Sequence, residues 1–445
     1  MASPSKDTRS LKICIIGAGM GGLTCALALA KDGFENIHVY ETASNLGTVP
    51  GRWMAGWMRW HGMAGSMLIG ERAIEGATDT ELANVDLGYI EETYHYPHMV
   101  GHRHSLANGL YNGCLAQKAI TFHFRTGVQR VLSFAPNPSF TAVPRPRDGG
   151  SGEPAPDPYT VTCDILLAAD GIKSVARVDM LKALNHTASV IDSQQAAYRI
   201  MLTREQMECD ADLLALIDAE AVTRWIGERR HIIAYPVSNK RIYNLSTTQP
   251  DVNFAAAPSE TYTTQGSKSA MLEVFGDFCP LVLKMLNMVP EGEVCEWKLR
   301  IHEPLQTWIA GSVALVGDAC HPTLPHMAQG AAQAIEDGAV LGAVLAQLVD
   351  ASPESINKTL RVYEKIRKER AEMLVELAAA SARNLHLGEG KAKEERDRMF
   401  KELREKGGKA PVPDKWADAD VQKIVYGVDC VKIARENFTD MYNSI

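Results

Sequence analysis

Hydrophobic positions near the N-terminus predict a strand, a helix and a second strand in succession. Ile13–Ile16 is a short apolar run typical of a buried strand, and Ile37–Tyr40 is another. Between them, apolar residues recur at helical spacing: Leu23, Ala26, Leu27 and Ala30. The pattern indicates a β-α-β unit of an α/β fold.

A similar succession returns late in the chain. Residues 312–316 (SVALV) form a strand-like run that ends at Gly317 and Asp318. Two prolines follow, the second being Pro325, and a long run with helical spacing begins at Gly330 and Ala331. A helix that starts beside a strand-end carboxylate offers unpaired N–H groups and a positive dipole end. This place suits a cofactor that has sugar hydroxyls and becomes anionic, such as a reduced flavin.

The first turn carries a glycine motif of the type that binds dinucleotides. Gly17, Gly19 and Gly22 form G-x-G-x-x-G between the first strand and its helix, and Glu41 ends the second strand. In such motifs the glycines allow a tight turn, a close approach of the pyrophosphate and close helix packing, and the acid binds a ribose. The alternative is a glycine-rich turn in another kind of α/β unit, but both strands, the helix and the terminal acid favour dinucleotide binding.

The middle of the chain has the pattern of a separate antiparallel sheet. Short strand-like runs with turn signals between them cover residues 196–202, 231–237 and 241–247. The tripeptide at 238–240 (SNK) predicts a hairpin connection. Residues 135–158 are dense in Pro and Gly, and we interpret them as an exposed loop that extends a hairpin. From about 351 the chain is helical and heavily charged.

Composition narrows the class of protein. A chain of 445 residues with 46% apolar residues has room for two or three globular domains. A net charge of −8 argues against a nucleic-acid partner and against a basic membrane-binding surface. Nine cysteines without a C-x-x-C pair predict reduced thiols and a cytoplasmic protein. Apolar runs stay below the roughly eighteen residues of a spanning helix, and the polar start lacks the apolar core of a signal peptide.

These segments resemble the FAD-dependent aromatic hydroxylases, the single-component class that includes 4-hydroxybenzoate and salicylate hydroxylases, and within it the fungal branch of secondary metabolism. Residues 164–177 (DILLAADGIKSVAR) and the pair His102-Arg103 match two further motifs. The resemblance implies that Arg103 holds the FAD, that Asp170 lies at the flavin and nicotinamide regions, and that Asp318 binds the ribityl chain. It also implies that Pro325 packs near the flavin face and that the helix from Gly330 and Ala331 stabilises the reduced ring.

The resemblance also implies the reaction. NADPH (or NADH) reduces the FAD, O2 forms a flavin hydroperoxide, and one oxygen atom is transferred to an electron-rich ring, with the protein supplying position and exclusion of water. A second G-x-G-x-x-G does not occur, which fits a nicotinamide cofactor that docks transiently on the flavin domain. The expected partners are a small aromatic substrate and O2, and a homodimer is left open.

Two residues are the candidates for substrate activation. In the related fungal enzymes an arginine and a tyrosine in the contexts of Arg199 (QAAYRIML) and Tyr235 (HIIAYPV) hold a phenolate. A guanidinium within hydrogen-bond reach stabilises that anion. The alternatives are an exposed cross-strand arginine and a core tyrosine. His231 shares its strand face with Tyr235, and we interpret it as structural. Metal ligands are not predicted, because Cys320 and His321 are adjacent and lack ligand spacing.

The predicted domains are interleaved. The FAD-binding domain comprises 11–75, 101–182 and 298–350; the substrate domain comprises 76–100 and 183–297; a helical C-terminal region covers 351–445. The fold class is therefore α/β, with a Rossmann-like domain interleaved with an α+β domain that carries the antiparallel sheet.

One segment departs from the resembling family. Residues 48–73 carry Pro50-Gly51-Arg52 where the family has a Gly-Ala-Gly turn, and Trp53, Trp57 and Trp60 share one helical face. The segment is an altered wall of the flavin site, a surface helix with a core stripe, or the product of a mis-set reading frame. The functional alternatives to a phenol hydroxylase are a flavin protein with impaired or lost catalysis, and an epoxidase or dearomatising enzyme of the same family.

Overall fold

The computed structural model describes residues 7–46, 65–67, 70–101, 103–146, 156–252, 263–406, 413 and 418–445. These residues form two large sheets, two small sheets and fourteen helices. The strands are β1 (Ile13–Ile16), β2 (Ile37–Tyr40), β3 (Gly65–Met67), β4 (Gly70–Glu75), β5 (Glu81–Asp86), β6 (Met99–Gly101), β7 (Ile120–His123), β8 (Thr126–Ser133), β9 (Ser139–Pro144), β10 (Tyr159–Thr162), β11 (Ile165–Ala168), β12 (Val190–Thr203), β13 (Ala221–Gly227), β14 (Arg230–Val237), β15 (Ile242–Pro250), β16 (Thr263–Gln265), β17 (Cys295–His302), β18 (Ile309–Ala310) and β19 (Val313–Leu315).

The helices cover both sheets and dominate the C-terminal part. They are α1 (Met20–Lys31), α2 (Tyr89–Tyr94), α3 (Arg103–Leu115), α4 (Val175–Ala183), α5 (Arg204–Met207), α6 (Ala211–Asp218), α7 (Lys268–Val274), α8 (Pro280–Asn287), α9 (Gly330–Leu345), α10 (Pro353–Leu385), α11 (Lys391–Glu405), α12 (Ala419–Tyr426), α13 (Cys430–Glu436) and α14 (Phe438–Asn443). Among the described residues, a helix both long and apolar enough to cross a bilayer does not occur.

The first sheet has six strands in the order β18-β19-β11-β1-β2-β7. All neighbours are parallel except β18 and β19. All four residues of β1 are buried, as expected for a central strand covered on both faces. The predicted β-α-β unit is thereby confirmed, and so is the strand predicted at 312–316.

The second sheet has eight strands in the order β16-β17-β12-β15-β14-β13-β4-β5. The strands predicted at 196–202, 231–237 and 241–247 are its β12, β14 and β15, which pair antiparallel. Residues 238–240 form the predicted hairpin turn, and all three have positive φ. The α/β fold class is confirmed, whereas the domain boundaries stay a prediction. Strands β4 and β5 also belong to this sheet.

The two faces of the eight-stranded sheet have different neighbours. One face builds a core with α6, α7 and α8 from residues such as Tyr198, Ile232 and Leu286. The other face presents Ile233 and Tyr235 to Met327, which follows the six-stranded sheet, and to Ala378 of α10. The second face therefore looks toward the strand ends of the first sheet.

The interpretation of 135–158 as one exposed loop was wrong in part. Residues 139–144 form β9, which pairs with β8 and β10 in a three-stranded antiparallel sheet. Phe140 and Ala142 are fully buried. Apolar and polar residues alternate in β9, as is typical of a strand. Prolines on both sides of this short segment favoured a loop, so the strand was not predicted.

Candidate active site

Four neighbouring strand ends bring the predicted cofactor residues to one edge. The order β19-β11-β1-β2 places the carboxyl ends of these parallel strands side by side. Main-chain bonds continue just past the strands: Ala169 N–H donates to Ile16 O at 2.8 Å, and Val316 N–H donates to Ala168 O at 2.9 Å. Gly17, Glu41, Asp170 and Asp318 follow the four ends. Ligands of open α/β sheets bind at this kind of edge. We call the edge formed by these four residues the flavin edge, after the cofactor predicted to bind there.

The three motif glycines meet three different environments. Gly17 has φ +92°, and a Cβ there would lie 2.4 Å from Ala169 O. At Gly22 a Cβ would lie 2.0 Å from Gly17 O, so the helix could not approach the turn. At Gly19 a Cβ would have no described heavy atom within 4 Å. The open space at Gly19 is what a pyrophosphate needs, so the turn fits a dinucleotide.

Glu41 lies directly beside the glycine turn. One carboxylate oxygen accepts from Ala18 N–H at 2.8 Å, and the other accepts from Ala43 N–H at 2.7 Å. These bonds fix the carboxylate next to the place where the first ribose of a dinucleotide would lie. Its role in ribose binding stays a prediction.

Helices α1 and α9 start at the same edge and run in the same direction. A Cβ on Gly338 would lie 2.7 Å from Cys25 N, and one on Gly342 would lie 2.7 Å from Ala28 Cβ, so glycines set the close packing. Two helix N-termini therefore point their N–H groups toward one ligand space. Gly330 is half-buried and Ala331 is exposed at the start of α9.

The two strand-end aspartates are partly withdrawn from water. Burial raises the pKa of Asp318, although His321 and Arg103 act in the opposite direction. Burial likewise raises the pKa of Asp170. One oxygen of Asp170 accepts from Ala176 N–H at 3.1 Å, and the other is buried without a hydrogen-bond partner in the described chain. Such an oxygen is a ready acceptor for a ligand hydroxyl or amide.

A buried ion network behind Asp318 holds the turn, and the sequence analysis missed it. Asp337 Oδ2 accepts from Gly317 N–H at 2.9 Å and from His321 Nε2 at 2.6 Å, and its Oδ1 accepts from Arg367 Nε at 2.9 Å. Burial alone would raise the pKa of Asp337, but His321 and Arg367 outweigh it and lower the pKa to about 2. An aspartate among the apolar positions of α9 was the available signal, whereas Arg367 on α10 left none.

Pro325 and Arg103 complete the predicted cofactor set. Pro325 opens the 3-10 turn Pro325–Met327 that leads into α9, and it is half-buried. Arg103 is the first residue of α3 and is exposed. Its charge contributes to lowering the pKa of both Asp318 and Arg199, so it is near both side chains. His102, its motif partner, lies outside the described residues.

Arg199 and Tyr235 share one face of the eight-stranded sheet. Arg199 on β12 is opposite Ser246 on β15, and Ser246 is opposite Ile233 on β14. Directly paired residues point to the same side, and so do Ile233 and Tyr235, two positions apart. The sheet register thus brings the two predicted substrate residues together on the face that looks toward the flavin edge.

The surroundings of Arg199 and Tyr235 shift the pKa values of both side chains. Arg199 is solvent-accessible, yet surrounding protein atoms lower its pKa by desolvation, with Tyr235 and Arg103 as smaller and opposing influences. Burial raises the pKa of Tyr235, and Arg199 lowers it in part.

The altered segment 48–73 lies mostly outside the described residues, with Trp53, Trp57 and Trp60 among them. Within this segment the structure describes residues 65–67, which form β3, and residues 70–73, which belong to β4.

The sheet edge thus fits a dinucleotide and faces a second sheet that carries a basic and a phenolic side chain, an arrangement typical of nucleotide-dependent oxidoreductases. The sequence profile of the FAD binding domain family matches residues 10–378. The chain therefore belongs to this family and is a FAD-dependent monooxygenase of the aromatic hydroxylase type.

Individual relatives agree with this assignment. The FAD-dependent monooxygenase atnJ of Arthrinium sp is 29% identical over 398 residues, which cover 88% of this chain and 89% of the relative. A 3-hydroxybenzoate 6-hydroxylase of Polaromonas naphthalenivorans is 26% identical over 385 residues, covering 83% and 87%. A salicylate hydroxylase solved in complex with its substrate has the same fold, with a TM-score of 0.72 at 21% identity over 96% of this chain and 98% of the other.

Proposed function

We propose that this monooxygenase uses NADPH and O2 to hydroxylate a phenolic or hydroxybenzoate-type ring held between Arg199 and Tyr235. The observation that carries the proposal is the shared face of these two side chains, opposite the predicted flavin edge. The names of relatives that act on 3-hydroxybenzoate and 6-hydroxynicotinate support an aromatic substrate with an acidic hydroxyl.

The residues divide the work between cofactor and substrate. The open turn at Gly19, the start of α9 and Asp318 would hold the FAD, and the bound flavin supplies oxygen activation after reduction by NADPH. Arg199 would hold the substrate oxygen as an anion, since a guanidinium in a desolvated cleft stabilises a phenolate more strongly than water does. Tyr235 would donate a hydrogen bond that orients the ring. The phenolate makes the ring more electron-rich, which favours attack on an electrophilic oxygen.

Replacing Arg199 separates substrate activation from cofactor binding. Arg199→Ala should keep bound FAD and lose turnover by about 10- to 100-fold, the effect of removing one charged hydrogen bond. The measurement is phenol-stimulated NADPH oxidation with product detection over a panel of hydroxybenzoates, prenylated phenols and orsellinic-type rings. Product analysis also separates simple hydroxylation from decarboxylation, dearomatisation and epoxidation.

The matched control is Arg241→Ala, an exposed arginine in the turn before β15 that donates to Ser238 O. Full activity of Arg199→Ala would remove Arg199 from the mechanism. Wild-type protein that takes up FAD but shows no stimulated NADPH oxidation with any ring would favour the alternative of lost catalysis.

A further inference from the structure

Three histidines from distant parts of the chain lie close together at the turn Pro325–Met327, which leads into α9 and is called the flavin turn below. They are His231 on β14, His326 in the turn Pro325–Met327, and His386 at the C-terminal end of α10. Each ring offers one nitrogen, and the three nitrogens lie within 4.8 Å of one another. The ring centroids are 4.7 Å apart for His231 and His386, 5.5 Å for His231 and His326, and 5.6 Å for His326 and His386.

The cluster is withdrawn from water. His231 is 4% exposed and His326 is 2% exposed, while His386 is half-buried. Burial is the main cause that lowers the pKa of His326 to about 3 and that of His386 to about 4, and it lowers the pKa of His231 as well. The neutral form of imidazole is the one that binds metal ions.

Hydrogen bonds leave one acceptor of the cluster unsatisfied. His231 Nδ1 lies 2.5 Å from His386 Nε2, and His326 Nε2 lies 3.1 Å from Gln195 Oε1. If Gln195 accepts, the proton is on Nε2, and the lone pair of His326 is on Nδ1. That atom is buried and has no partner among the described residues. A histidine held by a carbonyl oxygen through one nitrogen, with the other free, is the usual arrangement of a metal ligand.

We propose that His231, His326 and His386 form a binding site for a zinc ion. Zinc binds imidazole nitrogens at about 2.0–2.1 Å in tetrahedral geometry, which separates the nitrogens by roughly 3.3 Å. This value falls between the 2.5 Å that separates His231 Nδ1 from His386 Nε2 and the 4.8 Å within which all three nitrogens lie. Three imidazoles leave a fourth position for water, and imidazole ligands without thiolates favour zinc over calcium or magnesium.

The nearby charges permit a cation. Arg224 is close enough to lower the pKa of all three histidines. Its charge is balanced by Glu71, whose carboxylate lies 3.1 Å away, and both side chains are buried. Arg396 also lowers the pKa of His386, and it pairs with Asp397 at 2.7 Å, so each of these two arginines has a carboxylate partner.

The ion would join three elements that lie near the proposed substrate residues. His231 is four positions before Tyr235 on the same face of β14, and His326 directly follows Pro325 of the flavin turn. His386 is already attached to the turn before β14 through its carbonyl, which accepts from Arg229 N–H at 3.2 Å. A bound zinc would fix the distance between the substrate face and the flavin turn.

The test is the metal content of the full-length flavoprotein, produced without a polyhistidine tag and dialysed against metal-free buffer. We expect about one zinc ion per chain, measured by mass spectrometry of the metal. His231→Gln and His386→Gln should each reduce zinc content at least fivefold. Added cobalt should give absorption bands at wavelengths beyond those of the flavin in the wild type but not in these variants.

The matched control is His186→Gln, a histidine outside the cluster, which should keep the full zinc content. Bound FAD and circular dichroism of each variant show whether it is folded. Wild-type protein that stays zinc-free after exposure to zinc, with no cobalt bands and no rise in melting temperature, would overturn the proposal. Folded His386→Gln protein that retains one zinc per chain would also overturn it.

Discussion

The flavin edge and the substrate face of this protein are built by different means. At the flavin edge, backbone groups of three turns and two helix starts would form the proposed cofactor site, and a side chain at Gly17 or Gly22 would collide with the backbone. On the proposed substrate face, side chains of strands β12 and β14 would form the site, and the register of β15 between them sets their distance. The first region should therefore respond to substitution through folding and cofactor retention, and the second through turnover.

The largest effect should come from the buried support of the flavin edge. Asp337→Asn removes the charge that pairs with Arg367 and His321, so about 3–5 kcal/mol of unfolding free energy should be lost. Thermal or urea unfolding measures this loss, and FAD retention should fall with it. Asp440→Asn, an exposed aspartate of α14, should leave the unfolding free energy unchanged.

The same network predicts a pH dependence of stability. Because the folded protein lowers the pKa of Asp337 to about 2 from an ordinary value of 3.8, its contribution is present above pH 4 and disappears as the pH falls through 2. The difference in stability between wild type and Asp337→Asn should therefore shrink in acid. A difference that grows below pH 4 would show that Asp337 is protonated in the native state.

A pair of glycine substitutions separates folding from cofactor binding within the flavin edge. Gly22→Ala should cost about 1–3 kcal/mol of stability because its Cβ would meet Gly17 O at 2.0 Å. Gly19→Ala meets only open space, so the apoprotein should keep its melting temperature while FAD affinity falls. Equal effects of the two substitutions on the apoprotein would contradict the assignment of Gly19 to the pyrophosphate.

Asp318 tests the contact with the cofactor directly. Asp318→Ala should weaken FAD retention by about tenfold, the cost of one hydrogen bond to a charged group, with little change in fold. Flavin content after gel filtration at rising dilution measures this. Unchanged occupancy would remove Asp318 from the flavin site.

The smallest effect is expected on the substrate face. Tyr235→Phe removes one hydroxyl and keeps the ring, so turnover should fall about three- to tenfold. FAD content should stay at the wild-type level, as for Arg199→Ala. Loss of FAD in Tyr235→Phe would mean that the two regions are not separable in the way the fold indicates.

The sequence alone determined the α/β class, the glycine turn, the strand-end Asp318 and the helix from Gly330, because each is encoded by a short continuous pattern. Turn chemistry and strand periodicity act over a few residues, so they can be read locally. The pair Arg199 and Tyr235 also appeared in the sequence analysis, but only through family resemblance.

Only the tertiary structure decided which residues, far apart in the sequence, lie next to each other. The network of Asp337, His321 and Arg367 joins a turn, α9 and α10, and the cluster of His231, His326 and His386 joins β14, the flavin turn and the end of α10. Single histidines and arginines leave no periodic signal. These side chains interact through charges and lone pairs, and packing brings them within a few ångströms of one another. That packing is set by the whole chain.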